Sequence, residues 1–427
     1  MRLALVSFGS RGDIEPFVTL GRALAAAGHE VRLLTHPEYA SLAAGTGVEL
    51  VAARGRSTRE LIESDEGREV LRRVRNPLAL LRRIADVLAP ELHLIYEDTL
   101  RIATDADAVL AFPATFPALD VADHLGRPVI HVHHVPAVPT RNFPVAAPYI
   151  NARSLTPLGN RASYSVDALL LWRLTREAAT RARSGVLGPR SSRPLSARGA
   201  LGQRRRRAGA IVGVSPHVLP PPRDWPGDVV TCGYWWPGSA AADADGGLDP
   251  ATEAFLAAGP PPVFLGLGST PLSDAAATTR EVTGAARDAG VRLVLQRGWA
   301  RLGEGVDEPG VHVVGDIPYD AIFPRVAAVA HHGGAGTTAL GLRHGRPTLC
   351  MPTVADQFFW GHRIAAIGAG PAPLPVAHLQ RARLAKRLSA LIEDSHYRSR
   401  TSALAPALAS EDGCSVAVAA VERFLTM

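Results

Sequence analysis

Short apolar runs of strand length alternate with longer amphipathic runs of helix length, and this happens twice along the 427 residues. In the first series Arg2–Phe8 reads as a strand and Gly9–Gly12 as a turn. Pro16–Ala27 reads as a helix stopped at Gly28, and Val31–Leu34 as the next strand. The pattern returns with Ala108–Phe112, Thr115–His124 and Pro128–His133. A second series runs through Val263–Leu267, Ala275–Ala289, Val291–Gln296, Val311–Val314, Val326–Ala330, a helix ending at Arg343, and Thr348–Met351. His378–Ile392 and Ser415–Phe424 carry helical spacing. Alternating strands and helices build parallel sheets covered on both faces. The expected fold class is therefore α/β, with two Rossmann-like, doubly wound halves facing across a cleft. The expected bounds are 1–215 for the first half, 216–250 for a linker, 251–410 for the second half and 411–427 for a last helix. The linker expectation rests on the proline-rich stretch Pro216–Pro237 followed by the small, polar Ala240–Gly247. Residues 140–210 are expected to be less regular. Ligands of such sheets sit beyond the carboxyl ends of the strands, so the site is expected in the cleft.

Composition narrows the class further. Hydrophobic residues make up 47% and charged residues 20%, as in an ordinary globular chain. No run reaches the roughly 18 apolar residues of a membrane helix, and Leu3–Phe8 is too short for a signal peptide, so a cytoplasmic location is expected. Cys232, Cys350 and Cys414 have neither disulfide-framework nor zinc spacing. The net charge of +6 comes from arginines, with Lys386 the single lysine, and no nucleic-acid-binding motif accompanies them. The densest basic run, Gln203–Arg207 within Arg181–Arg207, reads as a solvated loop or as a patch for anions or a membrane surface. Nucleic acid is excluded as a partner; peripheral membrane contact is not.

Three strand ends carry chemistry. In Val329–Thr338 a strand delivers Gly333, Gly334 and Gly336 into the start of a helix. Absent side chains let backbone N–H groups approach an anion, and the helix N-terminus adds partial positive charge. His332 and Thr337 can donate to the same phosphate. The bland reading is a tight turn that needs glycine for its geometry. A P-loop lysine is missing, which argues against an ATPase. Asp356 and Gln357 follow the next strand; a carboxylate beside an amide suits adjacent hydroxyls, as on a sugar, although an aspartate also caps helices. Gly9–Pro16 ends the first strand, with Gly12 in its turn, Arg11 available to a phosphate, and Asp13 either a helix cap or a cleft-facing base. His131, His133 and His134 read as a pocket wall more readily than as a metal site. Trp299, after Gln296, either stacks on a nucleobase or fills the core.

Taken with Val214–Pro216, Asp224–Pro226, Cys232–Trp235 and Gly266–Ser269, these motifs resemble family 1 glycosyltransferases of the GT-B fold. In particular they resemble the bacterial branch containing glycopeptide-antibiotic glucosyltransferases, related to sterol glucosyltransferases. The motifs span most of the chain in family order but do not reach well into residues 150–210. The resemblance implies inverting, metal-independent transfer from a UDP- or dTDP-sugar to an acceptor hydroxyl. Donor binding would fall to the C-terminal half and acceptor binding to the N-terminal half, with the last helix crossing back. It implies Asp13 as base, where plant relatives carry histidine. His332, Gly334, Gly336, Thr337 and Ser269 would hold the diphosphate, Asp356 and Gln357 the sugar, and Arg11 the phosphate side. Plant enzymes carry a ribose-binding glutamate eight residues after the loop histidine; Leu340 stands there, which leaves a thymidine nucleotide open. The expected product is a hexoside, of glucose or rhamnose type, on a small apolar acceptor such as a polyketide, with a sterol or lipid as the alternative. A nucleotide-sugar epimerase and a non-catalytic auxiliary partner are the rival functions.

Overall fold

The computed structural model describes residues 1–67, 77–147, 155–188, 207–237, 247–354 and 356–426. Seven strands form the first sheet: β1 (Arg2–Val6), β2 (Glu30–Thr35), β3 (Val48–Ala52), β4 (Ala108–Ala111), β5 (Val129–His133), β6 (Arg207–Val212) and β7 (Val229–Thr231). Their order is β3-β2-β1-β4-β5-β6-β7, with every pairing parallel. Five strands form the second: β8 (Val263–Gly266), β9 (Leu293–Gln296), β10 (Val311–Val314), β11 (Ala328–His331) and β12 (Thr348–Cys350). Their order is β10-β9-β8-β11-β12, again all parallel. Strands such as Ala108–Ala111 and Val263–Gly266 are buried along their whole length. Helices covering both faces explain why these runs are continuously apolar and do not alternate.

The longer helices are α1 (Arg11–Ala26), α2 (Pro77–Leu88), α3 (Leu92–Ala103), α4 (Phe116–Leu125), α5 (Pro157–Leu187) and α6 (Pro250–Ala257) in the first part of the chain. Then come α7 (Ala275–Asp288), α8 (Ala335–Arg343), α9 (Asp356–Ala366), α10 (Arg381–Glu393), α11 (Ser395–Ala409) and α12 (Gly413–Thr426). Strand order reverses between β1 and β4 in one sheet and between β8 and β11 in the other. A crevice opens at the carboxyl end of each such reversal, and the two crevices share one cleft.

Three departures from the sequence reading matter for that cleft. The stretch 140–210 holds the 31-residue α5, begun by Thr156, whose hydroxyl accepts Gly159 N–H, with Pro157 at the first helical position. The stretch 216–250 contributes β7, the edge strand of the first sheet. Within the basic run, Arg207 opens β6 and pairs with Asp228; residues 189–206, and residues 238–246 of the small polar stretch, lie outside the described residues.

Two contacts between the parts of the chain position the site. Helix α12 lies on the first sheet, where Ala417, Val421 and Phe424 join Leu3, Leu5, Phe17 and Ile211 in one buried cluster. A second cluster joins Val138, Val212 and Val218 to Leu342, Phe359 and Trp360 of the second sheet's helices. Fully burying such side chains contributes ~1.5–3 kcal/mol each, so this apolar floor holds the halves together beneath the cleft.

Candidate active site

Asp13 is the third residue of α1, one turn beyond the end of β1. Ser10, not Asp13, is the N-cap residue of this helix. Ser10 N–H and Ser10 Oγ both donate to Asp13 Oδ2, at 2.8 and 3.0 Å. Gly9 makes this arrangement possible. Its φ is +141°, and a Cβ there would lie 2.3 Å from Asp13 Oδ2. Tyr39 fixes the same turn by donating its hydroxyl proton to Gly9 O at 3.1 Å. On the other oxygen, His134 Nε2 stands 3.3 Å from Asp13 Oδ1. Low-dielectric surroundings work to raise the Asp13 pKa. The bond and charge of His134 and the Ser10 bonds outweigh that and hold the carboxyl below its ordinary value. Asp13 is thus ionised at neutral pH while its side chain remains 41% exposed to the cleft.

Across the cleft, the loop 332–334 leaves β11 and enters α8. Beneath it, buried His331 accepts Gly333 N–H through Nδ1 at 3.0 Å. The His332 ring lies between two glycines: a Cβ on Gly268 would sit 2.9 Å from Cε1, and one on Gly334 2.5 Å from Nε2. Burial pushes the His332 pKa down to about 4, so at neutral pH the ring is a neutral donor with a single N–H. Its Nδ1 is buried and has no partner among the described residues. In α8, Thr338 N bonds Gly334 O at 3.0 Å. The N–H groups of Ala335, Gly336 and Thr337 precede that bond, as the unpaired donors of any helix start do. These three residues, with Ser269 after β8, line the cleft.

Asp356 and Gln357 open α9, and Gly333 packs on Gln357 so closely that a Cβ there would lie 2.8 Å from Gln357 O. Asp356 Oδ2 accepts Trp360 Nε1–H at 3.1 Å. Burial, with the negative charge of Asp13 from the opposite half, pushes the Asp356 pKa up to about 6. Only one end of the Gln357 amide is open. Its Oε1 already accepts Thr353 N–H, Thr353 Oγ–H and Val354 N–H at 2.8, 2.9 and 3.2 Å, leaving its NH2 group as the part it can offer a ligand.

Trp299 follows β9, its N–H bonded to Gly268 O at 3.0 Å and its ring 5.8 Å from the guanidinium carbon of Arg59, on the short helix Thr58–Glu63. Leu340 lines the cleft on α8, near Tyr319, whose hydroxyl donates to Gln296 at 2.7 Å. Arg11 lines the cleft but is ion-paired with Glu15 at 3.2 Å, one turn along α1. Asp120, on α4, accepts a hydrogen bond from the Tyr96 hydroxyl on α3.

The first-sheet side of the cleft has an aromatic lining from a helix that the sequence does not mark. Helix α5 contributes Tyr164, Leu171 and Trp172 to the cleft lining, which also includes Phe112 and Phe116. His131 and His133 line the same side, both held neutral by burial. The cleft encloses about 1870 Å³, above the ~300–1,000 Å³ of ordinary single-ligand pockets and large enough for two substrates together. Among the described residues, no single helix is long and apolar enough to cross a membrane.

Comparison with known proteins gives consistent matches. Residues 3–92 match the glycosyltransferase family 28 N-terminal domain, and residues 292–422 the erythromycin biosynthesis protein CIII-like C-terminal domain. The chain is 33% identical over 436 residues to a sterol 3-beta-glucosyltransferase of Arabidopsis thaliana, covering all of this chain and 68% of that protein. It is 34% identical over 439 residues to the O-mycaminosyltylonolide 6-deoxyallosyltransferase of Streptomyces fradiae, covering 99% of this chain and 97% of that one. It spans only 27–34% of the fungal sterol 3-beta-glucosyltransferases it matches. Among solved structures, the glycosyltransferase of kitacinnamycin superposes with a TM-score of 0.66 at 22% identity, covering 99% and 98% of the two chains. The glycosyltransferase VinC, solved with dTDP, superposes with 0.62 at 19% identity over the whole of both chains. At these identities the superpositions establish the fold alone.

Proposed function

From the premise that this chain belongs to the nucleotide-sugar-dependent glycosyltransferases of the GT-B fold, we propose that it transfers a hexose, of glucose or rhamnose type, from a UDP- or dTDP-sugar to a hydroxyl of an apolar natural-product acceptor, with inversion. The observation that carries the reading is the placement of Asp13 and the His332–Thr337 loop at the two strand-order reversals that share one cleft. The donor diphosphate lies on the N–H groups at the start of α8 and on His332. Asp356 and the Gln357 amide meet the sugar hydroxyls. The acceptor lies against the aromatic wall with its hydroxyl at Asp13.

The acceptor oxygen forms its bond to the anomeric carbon as the bond to the diphosphate oxygen breaks, and that electron pair leaves with the diphosphate. Asp13 takes the acceptor proton. Fixed N–H dipoles and neutral His332 stabilise the growing negative charge. These donors can supply the needed positive potential, so we propose that no metal is required.

A macrolide-type or other polyketide acceptor is favoured by the match along 97% of the Streptomyces enzyme. A sterol hydroxyl is the second reading, favoured by the full-chain match to the plant enzyme. Incubating purified protein with UDP-glucose, dTDP-glucose and dTDP-rhamnose against polyketide aglycones and sterols, with mass detection, decides between them. Sugar-nucleotide binding without transfer to any acceptor would leave only the auxiliary role.

A further inference from the structure

The end of β5 carries a histidine that the mechanism above does not use. Asp13 is unevenly held: Oδ2 accepts two bonds from Ser10, whereas Oδ1 is met by His134 Nε2 at 3.3 Å. A carboxylate oxygen only accepts, so this contact requires a proton on Nε2. His134 Nδ1 is buried with no partner among the described residues. Packing sets the ring plane instead: the Phe112 ring lies 5.2 Å away at 52°, and the Phe17 ring 6.2 Å away at 72°. The His134 side chain is 10% exposed, against 41% for Asp13, so the histidine backs the carboxylate and leaves its open side to the cleft.

We propose that His134 is the positioning residue of the catalytic base: its Nε2–H fixes Asp13 Oδ1 toward the acceptor hydroxyl and keeps the carboxylate ionised. The inference rests on the reading of Asp13 as the base. Other titratable groups act on the pair from several sides. Asp356, on α9, carries the same negative charge as Asp13 and works against its ionisation; the Asp356 pKa is itself raised by Asp13 and lowered by His134. Tyr39 keeps its phenolic proton. His133, beside His134 on the chain, is neutral through burial. That leaves His134 as the group whose donated proton favours ionised Asp13 from outside its own helix.

The test is carbon-13 NMR of protein labelled at aspartate carboxyls, with the Asp13 signal assigned by its loss in Asp13→Asn. His134→Phe keeps an aromatic ring between Phe17 and Phe112 but removes the donor; His134→Gln restores an N–H. The Asp13 midpoint should rise by about one pH unit or more in His134→Phe and return toward the wild-type value in His134→Gln, with affinity for TDP unchanged in both. An unmoved midpoint in His134→Phe, at wild-type TDP affinity, overturns the proposal. Should the phenylalanine variant fail to fold, nitrogen-15 histidine labelling of the wild type gives the answer. A His134 Nε2 signal that tracks the Asp13 titration supports the pairing, and one that ignores it refutes it. Failure of the premise looks different: Asp13→Asn would transfer sugar at the wild-type rate whatever the NMR shows.

Discussion

Replacing Asp356 by asparagine should make this protein more stable and a poorer binder of its donor. Folding raises the Asp356 pKa from its ordinary ~3.9 to about 6, because the carboxyl is desolvated between the halves and faces Asp13. A folded-state pKa above the unfolded one means that the folded state binds the proton more tightly. Stability from this group is complete below pH ~4 and is lost as pH rises through about 6. At pH 7.5 the ionised carboxylate is therefore a liability. Two pH units set a ceiling of ~3 kcal/mol, reduced by solvent in the cleft. Asparagine mimics the protonated acid and can still accept Trp360 Nε1–H. Its melting temperature should exceed that of the wild type at pH 7.5, and the gap should close as pH falls toward 4. In an Asp13→Asn background the gap should shrink, because one source of the raised pKa is gone. Donor binding should move the other way. The ionised fraction falls from ~90% at pH 7 to ~10% at pH 5, so wild-type affinity for a sugar nucleotide should drop up to ~10-fold over that interval, while the asparagine variant is weak throughout. Thermal melts across pH 4–8 and calorimetry with dTDP-glucose measure both. A melting-temperature gap that is absent at pH 7.5, or that does not narrow in acid, would refute the electrostatic reasoning.

Asp13→Asn should slow transfer by ~10²–10⁴-fold with nucleotide affinity intact; asparagine can still accept from Ser10, so its melting temperature should stay close to wild type. His332→Ala should weaken UDP and TDP binding by ~1.5–3 kcal/mol, the worth of a hydrogen bond to a charged group; unchanged calorimetric affinity for both would move the diphosphate elsewhere. Transfer should survive excess EDTA, because helix N–H groups and His332 supply the positive potential; activity lost in chelator and restored by magnesium or manganese would overturn that donor site.

The parts of the site visible in the sequence are those written into a few adjacent residues. Glycines between a strand and a helix announce the 332–337 loop because they serve a local need: room for a ring or an anion against the backbone. The parts that were hidden depend on distant pairings. His134 reaches Asp13 over 121 residues, and nothing at positions 131–134 distinguishes a partner for the base from a pocket wall. Gln357 reads as an amide suited to adjacent hydroxyls, and the sequence does not reveal that its carbonyl accepts from Thr353 and Val354, leaving the NH2 group for a ligand. Helix α5 escaped for another reason. Its buried residues are Asn160, Ser163, Tyr164, Ala179, Ala182 and Leu187, a mixed and mostly small set that leaves no apolar stripe to read. Only its capping threonine and first-turn proline marked it. Strand β7 is three residues inside a proline-rich segment and is recruited by the sheet edge.

The two sides of the cleft solve opposite electrostatic problems. On the donor side the ligand already carries negative charge, and what must be favoured is its increase. In the proposed mechanism a neutral His332 and fixed backbone dipoles do this without binding the departing diphosphate as a cation would, and catalysis gains only from what strengthens in the transition state. On the proposed acceptor side Asp13, as base, would have to stay ionised until a proton arrives, and the contacts from Ser10 and His134 favour that. The cost appears at Asp356, whose pKa is raised partly by the charge of Asp13. A donor sugar bound as proposed would bring its anomeric carbon near both carboxylates, and the positive character developing there would offset the repulsion between them. In that reading the raised pKa of Asp356 is a ground-state penalty that transfer itself discharges, a trade of stability for activity often found at functional sites.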